Sequence, residues 1–241
     1  MSSLIHVYHH FRKYGKEHRI LYLGASVFFF WAIFDGIVSY AAPVLIEKTG
    51  VSHFVMGLVF ASSSFFGGLL DIVLSEHLRT SHYRRVLFYM LLFSFAATIF
   101  LFQQSLFMLM IAMLLWGVYY DLSTFASYDF IARRIPREEY ASSFGIIDAF
   151  ISLAYVIAPL LIGSVLDQLL TWKPLGISWF VLGAAFALYL VLVSVTKKNK
   201  DKVHFREKEK SQTLPQVLKA WHAVFKDIGP SLLLRFMITM Y

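Results

Sequence analysis

The chain has no cysteine, which excludes disulfides, thiolate metal sites and a cysteine nucleophile. Charge is scarce too. Charged residues make up 15% of the sequence, where ordinary globular domains carry about 25%. The motifs of common enzymes are missing as well: there is no GxxxxGK[ST], no HExxH and no GxSxG. The pair His9–His10 sits in a tail with no complementary ligands, so neither a metal nor another cofactor is expected. These absences point to a protein that is not an enzyme.

What fills the chain instead is apolar. Hydrophobic residues reach 58% of 241, and Phe alone occurs 24 times. A soluble chain of this size would expose too much apolar surface, whereas a lipid-facing chain needs it. Crossing a bilayer takes about 20 apolar residues in a helix. Six segments qualify, at 20–46, 53–74, 86–103, 106–131, 141–169 and 177–195. The first follows a basic stretch. It is too long for a signal-peptide core and lacks a small-x-small cleavage site, so it reads as a retained span. A seventh apolar segment begins near Gly229 and reaches Tyr241 with too few residues to cross.

Lys and Arg set the orientation. The N-terminal tail, the second-to-third, fourth-to-fifth and sixth-to-seventh connections together hold nineteen of them, and the other side holds only Lys48 and Lys173. The tail and the long linker are therefore expected in the cytoplasm, in a multi-pass protein of the cytoplasmic membrane. The net charge of +7 is thus a topology signal, and no nucleic-acid partner is expected. The organisation expected is a tail at 1–19, a six-helix bundle at 20–196, a basic linker at 197–228 and the start of a seventh span at 229–241. Within the linker, Leu214, Val217, Leu218, Trp221, Val224 and Phe225 recur at helical spacing, which predicts an amphipathic helix on the inner membrane surface.

The two triplets of spans echo each other. FWAIFDGIVSY in the first carries Trp31 and Asp35, and LWGVYYDLSTFASY in the fourth carries Trp116 and Asp121. GGLLD closes the second span at Asp71, and GSVLD closes the fifth at Asp167. Because three is odd, related triplets must be inverted in the membrane, a pattern of transporter folds.

Intramembrane carboxylates are the main chemical signal. Each costs at least about 2.5 kcal/mol near the bilayer centre, so it is kept where it faces a cavity, a partner or a path. Asp35 lies about fifteen residues into its span, roughly 22 Å deep at 1.5 Å per residue. Asp121 lies at similar depth, and Asp148 is nearer the inner surface. Each sits on a polar stripe: Trp31, Asp35 and Ser39; Gly117, Asp121, Thr124 and Tyr128; Asp148, Ser152, Tyr155 and Pro159. These faces are expected to line one aqueous cavity. No Lys or Arg lies mid-span to neutralise the three aspartates, which makes them candidates for proton carriers or for binding a cationic substrate. Trp31, Tyr128 and Tyr155 offer aromatic surface with a polar end to a small-molecule substrate. Gly67 and Gly68 are expected to let helices approach closely at the inner end of the second span.

GGLLD followed by Arg84 and Arg85 resembles the signature G-x-L-x-D-R-x-G-R-R between spans two and three of the major facilitator superfamily, with Gly67, Leu69 and Asp71 matching and the basic pair several residues late. AYVIAPLLIG resembles that family's G-x-x-x-G-P-x-x-G-G pattern, with Pro159 and Gly163 retained. Asp35 to Pro43 is similar to the first-span motif of drug–proton antiporters, and RRIPREEYASSFG to the fourth-to-fifth loop. The resemblance implies an all-α transmembrane fold, a six-helix bundle with a 3+3 inverted repeat that is half of a twelve-helix transporter. The missing C-terminal half would follow Tyr241 and be the principal partner beside the lipid. It further implies secondary active transport of a small solute by alternating access, driven by a proton or ion gradient. Gly67, Asp71, Arg84 and Arg85 would belong to the cytoplasmic gate, and Pro159 and Gly163 would hinge the fifth span. The competing reading is a non-transporting membrane scaffold or sensor on the same fold.

Overall fold

A computed structural model of the protein describes residues 18–103, 105–163 and 172–198. Six α-helices follow one another: α1 Arg19–Glu47, α2 His53–Thr80, α3 Tyr83–Leu101, α4 Leu106–Arg134, α5 Tyr140–Gly163 and α6 Trp172–Lys198. A single 3-10 turn, Arg137–Glu139, precedes α5, and no strand occurs among the described residues. The amphipathic helix expected at 213–228, the linker and the seventh span lie outside the described residues, as do the tail and Asp167.

Without water to bond with, a backbone in lipid satisfies its own N–H and C=O groups, so helices are the natural result for such apolar segments. Five of the helices are long and apolar enough to cross a bilayer, and α2 contributes a shorter apolar stretch, His53–Leu69, among the described residues. Several helices outrun the hydropathic segments. α2 continues to Thr80, α4 to Arg134 and α6 to Lys198. The physical reason is that apolarity marks where lipid begins and ends, while the i→i−4 ladder continues through Arg, Glu and Lys, which are good helix formers.

The turns are short. Between α1 and α2, Gly50 takes φ +72°, a left-handed conformation that glycine adopts without strain. Its N–H donates to the carbonyl of Glu47 at 3.0 Å, finishing the last turn of α1. At the start of α3, His82 Nδ1 accepts from the Arg84 N–H at 3.3 Å.

α1 is the core of the bundle. Every residue from Trp31 to Val38 is buried. The most extensive helix pairs are α3 on α4, α1 on α5, α1 on α6 and α2 on α4. Exchanging the first three helices with the second three turns α1–α5 into α4–α2, and α3–α4 into α6–α1. The packing therefore carries the 3+3 relation that the sequence echo suggested. Outside, Phe54, Phe107, Leu160 and Phe180 are exposed, as expected of a surface facing lipid.

Candidate functional site

The site begins with a buried carboxylate. Asp35 stands in the middle of α1 with only 2% of its surface exposed. The Tyr119 hydroxyl, from α4, donates to Oδ1 at 2.8 Å. The Tyr155 hydroxyl, from α5, donates to Oδ2 at 2.6 Å, in the short range typical of charge-assisted bonds. Both oxygens thus have a partner, and neither partner is a cation.

Glycine makes this cluster possible. A Cβ on Gly36 would stand 2.5 Å from the Ala158 Cβ and 3.3 Å from the Tyr155 ring. Without that side chain, α5 can lie against α1 and deliver Tyr155 to the carboxylate beside it. Aromatic packing holds the other partner. Trp31 meets Tyr119 edge-on at 6.0 Å between ring centroids, and Phe34 meets it at 6.1 Å. Trp31 is itself fixed by its indole N–H, which donates to Ser94 Oγ on α3 at 3.1 Å.

Tyr155 also faces a cavity of about 520 Å³. Three helices wall it: Phe28 and Trp31 from α1; Tyr120, Ser123, Thr124, Ser127 and Tyr128 from α4; Phe144, Ile147, Asp148, Ile151 and Tyr155 from α5. On α4 and α5 these residues recur at three- and four-residue steps, so each set is one helical stripe. Tyr128 and Phe144 meet edge-on across the α4–α5 wall at 5.3 Å.

The expected single cavity lined by all three aspartates is corrected. Asp148 lines the large cavity. Asp35 lies behind its wall and is connected to it through the Tyr155 hydroxyl. Asp121 lines a separate cavity of about 260 Å³ with Ser63, Ser64, Gly67, Gly68, Trp116, Gly117 and Tyr120. The two cavities share Tyr120 and sit at different heights on α4: Gly117 and Asp121 meet α2, whereas Thr124 and Tyr128 of the same stripe, one and two turns further along, line the large cavity.

Gly67 lies near the end of the apolar stretch His53–Leu69 of α2, where a Cβ would stand 2.5 Å from Asp121 Oδ2. It is a contact between α2 and α4. The side chain of Asp71, one turn further along, is outside the described residues. Arg84 is half-buried and donates to the Thr196 carbonyl at the end of α6 at 2.9 Å. Arg85 is exposed. Pro159 is half-buried within α5, and Gly163 is exposed at its last described position, with no described residue within 4 Å of a Cβ there.

The end of the bundle where α3 starts and α4 finishes holds a cluster that sequence reasoning missed. Asp129 accepts the Tyr83 N–H at the start of α3 at 2.7 Å and the Arg133 Nε–H at 2.7 and 2.8 Å. Arg134, nearly buried, donates to the Tyr83 hydroxyl at 3.2 Å and to the Thr196 carbonyl at 3.1 Å. A carboxylate at a helix start and cations at a helix end both suit the helix dipole. The Asp129–Arg133 pair was legible as an i,i+4 pair, but the contacts to Tyr83 and Thr196 span helices. Replacing Asp129 by alanine is expected to cost about 1–3 kcal/mol, since it orphans an N–H of α3 and unpairs Arg133. Thermal unfolding in detergent measures this, with Arg133→Ala expected to cost less because that pair is partly solvated.

The family model described as Major Facilitator Superfamily matches residues 23–241. No curated protein and no solved structure matches the chain.

Proposed function

The chain belongs to the Major Facilitator Superfamily, and on that premise we propose that it moves a small solute by alternating access, with Asp35 carrying the coupling proton. The family makes it an integral membrane transporter, and its members are not enzymes. The single observation that supports proton coupling is the Asp35 cluster. An ionised carboxylate accepts both tyrosine hydroxyls, and a protonated one donates to either, so the same atoms serve both states without repacking. Tyr155 joins that cluster to the cavity, which gives the proton a route between Asp35 and water.

In this reading the tail and the basic linker lie in the cytoplasm, on the side that carries most Lys and Arg, and the membrane is the plasma membrane. A second six-helix half of the same protein closes the cavity opposite α1, α4 and α5. Asp71, Arg84 and Arg85 belong to the cytoplasmic gate. Pro159 and Gly163 supply the flexibility of α5. Asp121 tunes the α2–α4 contact during rocking.

Reconstitution tests the proposal. Proteoliposomes holding the full-length protein should take up solute when an inward proton gradient is imposed, and Asp35→Asn should abolish the gradient dependence while leaving counterflow exchange. Gradient-driven uptake that survives Asp35→Asn would remove Asp35 from the proton path.

A further inference from the structure

The large cavity also speaks to what is carried. Its wall holds one carboxylate, Asp148, together with six aromatic rings and three Ser or Thr hydroxyls, and no basic or amide side chain among the described residues. Asp148 is exposed to the cavity and makes no hydrogen bond or ion pair with another described residue. Being the ninth residue of α5, it stands about 12 Å along the helix from its cytoplasmic end, inside the membrane. A charge at that depth is retained where something neutralises it.

We infer that the cavity binds a monovalent organic cation with an apolar or aromatic body, and that Asp148 is its counter-ion. An anion would meet a carboxylate with no compensating base among the described residues. A polyol would find three aliphatic hydroxyls and tyrosines to bond, but no planar amide or guanidinium to hold its ring oxygens in a fixed orientation. A cation gains on both counts. Its charge faces Asp148, and its body lies among the rings of Tyr120, Tyr128 and Phe144, whose quadrupoles attract positive charge. The cavity volume of about 520 Å³ is within the range of sites for drug-sized ligands, roughly 300–1,000 Å³. The two carboxylates then divide the labour: Asp35, enclosed by hydroxyls, holds a proton, and Asp148, open to the cavity, holds the solute.

The inference rests on the transporter reading for its biological sense, but binding tests it independently. The full-length protein in lipid nanodiscs is titrated with radiolabelled benzyltrimethylammonium, and the neutral carbon isostere neopentylbenzene is the competitor. Saturable binding is expected, with no matching competition from the isostere. Asp148→Asn should weaken it about tenfold or more, and Asp148→Glu should restore most of the affinity. Asp148 is exposed, so neither variant should disturb folding, which size-exclusion profiles check. No saturable binding, equal competition by the isostere, or unchanged affinity in Asp148→Asn overturns the inference. Uptake of the same label into proteoliposomes separates the two readings. Asp148-dependent binding without uptake supports the cation site and counts against transport. Proton-driven uptake of a neutral or anionic solute without cation binding does the reverse.

Discussion

Gly117→Ala is expected to leave little or no correctly packed protein. A Cβ at this position of α4 would run into the backbone carbonyl of Ser63 on α2 and stand 3.2 Å from the Gly67 nitrogen. Ordinary overpacking costs about 1–3 kcal/mol because side chains can move aside. Here the obstacle is backbone, so the two helices would have to separate, opening the contact around Asp121 as they did. A size-exclusion profile and an unfolding midpoint in detergent measure the effect. Gly145→Ala is the control, since nothing lies within 4 Å of a Cβ there. It should be neutral, or stabilise by up to about 1 kcal/mol through helix propensity. A Gly117→Ala protein as stable as the control would mean that α2 and α4 do not meet as described.

Gly36 gives a graded version of the same test. Its nearest obstacle is the Ala158 methyl, a side chain that can be removed. Gly36→Ala should destabilise the α1–α5 contact, and Gly36→Ala with Ala158→Gly should recover much of the loss, because the methyl has only crossed the interface. Gly117→Ala has no such partner to trim. The contrast between the two sites follows from what each Cβ would meet, and a double-mutant cycle reads it directly.

These glycines mark the boundary of what the sequence discloses. The apolar helices and the 3+3 echo were legible because lipid imposes a length and a composition on a spanning helix, although α2 offers only the shorter apolar stretch His53–Leu69. The aspartates stood out for the same reason, as expensive residues in apolar runs. Which way each faces was less legible. Spacing of three and four puts Gly117, Asp121, Thr124 and Tyr128 on one stripe, and hydropathy does not say which neighbour each part of that stripe meets. Packing against α2 takes Gly117 and Asp121, and the cavity takes Thr124 and Tyr128. Tyr119 is the clearest omission. Beside Tyr120 and Asp121 it is one more aromatic in a run of them, and only the approach of α1 and α4 identifies it as the second donor to Asp35. Asp129 was missed because it lies near a helix end, where a carboxylate is unremarkable until the Tyr83 N–H is seen to point at it.

Removing one hydroxyl at a time should separate coupling from stability at Asp35. Tyr119 and Tyr155 make equivalent bonds to opposite oxygens, but their surroundings differ. Tyr119 is fully buried between Trp31 and Phe34, whereas Tyr155 is half-buried and lines the cavity. Tyr119→Phe deletes a buried bond to Asp35 in the core, so it should lower the unfolding midpoint, by about 1–3 kcal/mol in stability. The route between Asp35 and the cavity stays intact. Tyr155→Phe costs a similar bond, yet it also deletes the hydroxyl through which a proton passes. Gradient-driven uptake should therefore fall by about 100-fold, the lower end of the scale set by losing a positioned proton-transfer group, while counterflow exchange changes little. Proteoliposome uptake under an imposed proton gradient, set beside unfolding midpoints for the same preparations, gives both readings. If the two variants lose gradient-driven uptake equally, Tyr155 is a structural partner of Asp35 like Tyr119, and protons reach the carboxylate by another path.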